Sequence, residues 1–112
     1  GPMLTPDAVD IAHLVNPTEK FWGVLLNLDQ SGLVLRGINV SSFDDWMFQT
    51  ARQAPHSLGL STMFVPLFRI ERIFLDEQIG EVESYRQRFE QRVGRAVESY
   101  LGLQIDRDEE PS

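Results

Sequence analysis

The sequence predicts a mainly β protein with helices, of the α+β class. The expected shape is a small, strongly bent β-barrel with an inserted helix in its middle and a long helix after it. Three observations predict this. Two stretches, 31–46 and 63–75, read as the two halves of such a barrel, with apolar residues in alternation and turn residues at their borders. Gly23 and Gly37 fall inside strand-like runs, where glycine marks a bend or a close backbone approach. From 78 to 101 the apolar period changes from two to 3.6, the repeat of a helix.

The elements follow in order. Gly1-Pro2 ahead of Met3 reads as a protease-cleavage scar and is set aside. Residues 3–20 form an N-terminal lead. Thr5-Pro6 resembles an N-cap followed by proline at the first helical position, so Ala8, Val9, Ile11, Ala12, Leu14 and Val15 are expected in a short helix. Asn16-Pro17 ends it, because the residue before proline avoids the helical region. Phe21 to Leu28 is apolar nearly throughout and reads as a strand. Asp29-Gln-Ser-Gly32 is a turn, and Leu33 to Val40 alternates as the return strand of a hairpin.

Ser41-Ser42 can cap a helix over 43–53, with Asp45 three residues after Ser42. Phe43, Trp46, Met47, Thr50 and Ala51 share one face of it. A third strand through Trp46, Met47 and Phe48 is the rival reading. Residues 53–60 form a loop. Ser61 to Val65 is a strand, Pro66 suits an edge or corner, and Ile70 to Leu75 is the next strand. The stretch 78–101 is expected to be one amphipathic helix, its core stripe made of Val82, Tyr85, Phe89, Val93, Ala96, Val97 and Tyr100, with a stop at Leu101-Gly102. Residues 106–112 read as a disordered acidic tail.

Composition narrows the function classes. The chain has 112 residues, 42% of them hydrophobic, enough for one domain with its own core. It contains no cysteine, which removes disulfides, thiolate ligands and cysteine nucleophiles and fits a reducing cytoplasm. No apolar run approaches the ~20 residues of a membrane helix, and no secretion signal is visible. The net charge of −7 disfavours RNA, DNA and anionic membranes as partners. Nine of the ten Lys and Arg residues are Arg, which base composition explains as readily as selection does.

The catalytic inventory is thin, and the expectation is a protein that is not an enzyme and takes no cofactor. His13 and His56 read as surface or loop residues. Asp44-Asp45 read as first-turn acids favoured by the helix dipole rather than as metal ligands. No Ser-His-acid order, phosphate loop or zinc spacing is present.

Two groups of residues are less ordinary. Phe48 and either Phe68 or Trp22 exceed what one small interior can hold, so Trp22, Phe48 and Phe68 are candidates for a protein-binding patch. Arg88, Arg92 and Arg95 share one face of the expected C-terminal helix. They read either as an ordinary solvated flank or, since like charges repel, as a site for a compensating anion: RNA phosphate, a nucleotide or carboxylates of another subunit.

Over 21–75 the chain resembles the bacterial Sm-like (Hfq-type) family, on the residues Gly32-Leu-Val-Leu-Arg-Gly37, Ser42-Phe-Asp-Asp-Trp46 and Leu67-Phe-Arg-Ile-Glu-Arg-Ile73. The resemblance implies an Sm/SH3-like barrel and edge-to-edge or ring oligomers, since open barrel strands pair between subunits. It departs where that family carries Lys-His for RNA, because Leu67 and Phe68 stand there. It departs again in the inserted segment 49–60 and in the long C-terminal helix. The resulting expectation is a non-enzymatic, cytoplasmic interaction or scaffold module that forms a homo-oligomer and engages an unidentified protein. The alternative is an Sm-like RNA-binding regulator that uses Arg88, Arg92 and Arg95.

Overall fold

A computed structural model describes residues 4–53 and 58–102. Five strands, β1 (Val9–Leu14), β2 (Glu19–Leu28), β3 (Gly32–Asn39), β4 (Ser61–Pro66) and β5 (Ile70–Leu75), form one antiparallel sheet in the order β4-β3-β2-β1-β5. Helix α1 (Phe43–Ala51) lies between β3 and β4, and α2 (Tyr85–Val93) and α3 (Glu98–Leu101) follow β5. A single 3-10 turn, Leu67–Arg69, links β4 to β5. The architecture is α+β, as expected, but the sheet is not closed: among the described residues β4 pairs only with β3 and β5 only with β1.

The three central strands, β1 to β3, bury residues on both faces, which is why they read as dense apolar runs. Inside its curl lie Ala12, Leu14, Leu25, Leu33, Leu35 and Val65. On the opposite face Val9, Trp22, Val24 and Ile38 meet Phe43, Trp46 and Met47 of α1 and Phe89, Val97 and Leu101 of the C-terminal segment. Curvature is set at the Gly23–Gly37 pair of β2 and β3. A Cβ on Gly23 would stand 2.2 Å from the Arg36 carbonyl oxygen, and one on Gly37 2.0 Å from that of Trp22. Only glycine permits this approach.

Three expectations need correction. The lead is a strand rather than a short helix. Residues 9–14 alternate Val, Asp, Ile, Ala, His and Leu, and they fill the slot between β2 and β5, so ladder bonds on both sides override a weak helical pattern.

The long C-terminal helix is two short ones. The first starts at Tyr85, where Ser84 and Gln87 form a reciprocal capping box and the Asp76 carboxylate accepts the Tyr85 and Arg86 amides at 2.8 Å each. It stops at Gly94, whose φ of 79° is left-handed. Ahead of it, Ile79 and Val82 pair across a tight turn, so Val82 is exposed rather than part of the core stripe.

Trp22 is fully buried, its ring 5.0 Å from that of Phe43 and its indole N–H donating to Asp76 at 3.0 Å. It is a core residue and not part of a partner-binding patch.

Other expectations match the structure. Residues 43–51 are helical rather than a third strand, with Phe43, Trp46, Met47 and Thr50 buried. The cap differs in detail: the Ser42 side chain makes no capping bond, and the Asn39 side chain accepts the Ser41 amide one turn earlier. The 106–112 tail, His56 and the middle of the 53–60 loop lie outside the described residues.

Candidate interaction surface

The link between β4 and β5 is fixed by one cation. Arg69 donates from Nε to the Val15 carbonyl at 2.6 Å, and from Nη2 to the Pro17 carbonyl at 2.8 Å and to Glu19 at 2.9 Å. On the other side of the turn the Leu67 amide donates to the Ser31 carbonyl. With its neighbours tied down, Phe68 is held outward and is 81% exposed. Leu67 (48%) and Phe64 (56%) are exposed beside it in sequence, and Leu28 is exposed at the same end of the sheet, where Leu28 pairs with Leu33 and Leu33 with Val65. Large apolar side chains exposed at one end of a small domain make this end the candidate interaction surface. Phe68 was legible in the sequence. Phe64 was not, although its outward parity between Met63 and Val65 on a strand next to Pro66 was the available signal.

Phe48 has a different role. It is half-buried against the helix-side core, and the Arg92 guanidinium sits 4.9 Å over its ring. The three arginines do not form one free face. Arg88 pairs with Asp44 and lies 5.6 Å over the rings of Phe43 and Tyr85. Arg95, beyond the Gly94 break, donates to the Tyr100 hydroxyl at 3.2 Å. The anion that compensates Arg88 is thus the first-turn acid of α1, and the aromatic rings take up Arg88 and Arg92. Arg88 and Arg92 do line one shallow depression, with Met47, Glu83 and Gln91.

A groove of about 270 Å3 opens between the outer face of β1 and β5 and the 76–85 segment. Its walls include Ile11, Phe74, Ile79, Val82 and Tyr85, and His13, Lys20, Glu77 and Glu83 also line it. Partial burial, then the Lys20 and Arg72 cations, hold the His13 imidazole below its ordinary range. Asp76 borders the groove, but its carboxylate already takes bonds from Trp22, Tyr85 and Arg86.

Asp10 is the one buried charged residue among the described residues, and neither of its carboxylate oxygens has a hydrogen-bond partner. Burial, then the nearby Asp76 carboxylate, raises its pKa from 3.8 to about 7. Sequence reasoning missed it. An acid inside the alternating run from Val9 to Leu14 was the signal.

No group of three or more His, Asp or Glu residues is placed to hold a metal ion among the described residues. No helix among them is long and apolar enough to cross a membrane. Comparison with family models, with curated proteins and with solved structures finds no match to the chain.

Proposed function

We propose that the chain is a non-enzymatic interaction module of the cytoplasm that self-associates and engages a further protein through the β4 end of its sheet. The observation that carries this reading is the apolar group Phe64, Leu67 and Phe68, exposed beside an unpaired strand edge and held there by Arg69. Exposed aromatic side chains on a rigid frame bind at low entropic cost. The strand order and the single-turn β4–β5 link support kinship with the Sm/SH3-like barrels, though here the sheet stays open. The arginine face invoked for RNA is largely engaged within the chain, so the geometry favours the protein-binding reading.

Sedimentation over a range of concentrations tests it, with Phe68→Asp as the probe. The wild-type chain is expected above its 12.8 kDa monomer mass. The variant is expected to keep its fold, because Phe68 packs on little, and to lose association. A wild-type chain that stays monomeric and captures no protein partner refutes the reading. A mobility shift with RNA that vanishes as salt rises would instead favour the RNA-binding alternative.

A further inference from the structure

We propose that two copies of the chain join through β4, by antiparallel β4–β4 pairing across a two-fold axis at Phe64. This rests on the self-association reading above and names its surface and symmetry.

The backbone parity of β4 can be derived. Residue 67 lies opposite residue 31 in the β3–β4 register, and the Leu67 amide donates to the Ser31 carbonyl. Hydrogen-bonded pairs recur at every second residue of an antiparallel ladder. Val65, Met63 and Ser61 therefore exchange bonds with β3, while Thr62 and Phe64 turn their N–H and C=O groups to the open edge. Pro66 offers that edge a carbonyl alone.

A two-fold axis perpendicular to the sheet pairs residues that share a face. With the axis at Phe64, this residue exchanges both backbone bonds with the second copy's Phe64, and each Thr62 N–H reaches the other copy's Pro66 carbonyl. Every outward amide of β4 is then satisfied. The two Phe64 rings, each more than half exposed in one chain, lie opposite each other on one face, a favourable cross-strand pair.

Charge selects β4 over the other edge. The six residues of β4, Ser-Thr-Met-Phe-Val-Pro, include no charged side chain. Edge strand β5 carries Glu71 and Arg72, both exposed and 3.3 Å apart, and charged side chains are a common guard against strand addition. In a chain of net charge −7, copies repel each other least along a strip without carboxylates. The charged side chain bonded to β4 is Arg36, which donates to the Thr62 hydroxyl.

The absence of cysteine makes the test direct. Opposed, hydrogen-bonded residues stand about 5.5 Å apart at Cα, within disulfide reach. Phe64→Cys is expected to give a covalent dimer on mild oxidation, and Arg72→Cys in β5 is not. Thr62→Pro removes an outward N–H together with the hydroxyl that accepts from Arg36, and Thr62→Val, which loses the hydroxyl alone, is the control. Both should leave the circular dichroism unchanged, and only the proline variant should reduce the sedimentation mass from two chains to one. A wild-type chain that associates while Thr62→Pro leaves its mass unchanged, or while Arg72→Cys cross-links and Phe64→Cys does not, overturns the β4 pairing and leaves self-association standing. A wild-type chain that is monomeric at every concentration overturns both.

Discussion

Replacing Asp10 should remove a pH dependence built into the core. In the folded chain its carboxyl is buried without a partner and titrates at about 7 instead of 3.8. Between those values the folded state keeps the proton that the unfolded state has released. Stability therefore falls as pH rises through this window and levels off above about 7. A difference of roughly three pH units, at about 1.4 kcal/mol each, amounts to about 4 kcal/mol lost in full at alkaline pH. Part of it is already lost at pH 5, so from pH 5 to pH 8 Asp10 should remove about 2–3 kcal/mol. Urea unfolding followed by the fluorescence of buried Trp22 and Trp46 measures this at both pH values. Asp10→Asn cannot titrate, so its stability should fall less by that amount over the same range, whatever other groups contribute. Asp10→Val also removes the unpaired polar atoms and should exceed wild type at pH 8. Parallel pH profiles for wild type and Asp10→Asn would refute the argument.

Other substitutions test the frame around that carboxyl. Asp76→Asn disturbs the acceptor of the Trp22, Tyr85 and Arg86 N–H groups. Thermal unfolding should show a loss of about 2–3 kcal/mol, and the Asp10 titration should move down because a neighbouring charge is gone. Gly37→Ala places a methyl group 2.0 Å from a backbone oxygen. The sheet must open there, and a loss of about 3 kcal/mol or failure to fold is expected by circular dichroism. Ser84→Ala removes half of the α2 capping box and should cost about 1 kcal/mol in urea unfolding, with association unchanged.

What the sequence made legible were features that depend on neighbouring residues. The β2–β3 hairpin follows from its own turn and alternation, and α1 from the spacing of Phe43, Trp46, Met47 and Thr50. Several misses depend on distant partners, although the Ser84/Gln87 capping box and Gly94 that bound α2 are local. Residues 9–14 suit either a strand or a weak helix until β2 and β5 supply ladders on both sides. The 78–101 pattern looks continuous until Asp76, at the end of β5, binds the α2 amides and fixes where the helix starts. Trp22 looked surplus because the expected structure had one interior, whereas the sheet has two. Within the candidate surface Phe68 was legible as an aromatic at a position of no evident core role. Its fixed outward pose was not, because it depends on bonds from Arg69 to residues about fifty positions away.

Asp10 and the glycine pair belong to one structural problem. Leu75, Asp10, Gly23, Gly37 and Ser61 lie in register across all five strands, on the inner face of the curl. Two of these positions lack side chains so that the backbones can approach and the sheet can bend. The bend leaves no hydroxyl or amide side chain from the glycines to meet the carboxylate, and neither oxygen is bonded. The buried acid thus sits in the same row as the close strand approach beside Leu25, Leu33 and Leu35. If that approach is what keeps water out, opening the bend with Gly37→Ala should hydrate Asp10 in whatever folded fraction survives. Its titration should then fall back toward 3.8, a change that carbonyl NMR of the Asp10 side chain would read. A titration that stays near 7 in a folded Gly37→Ala chain would mean that something other than the bend keeps water out.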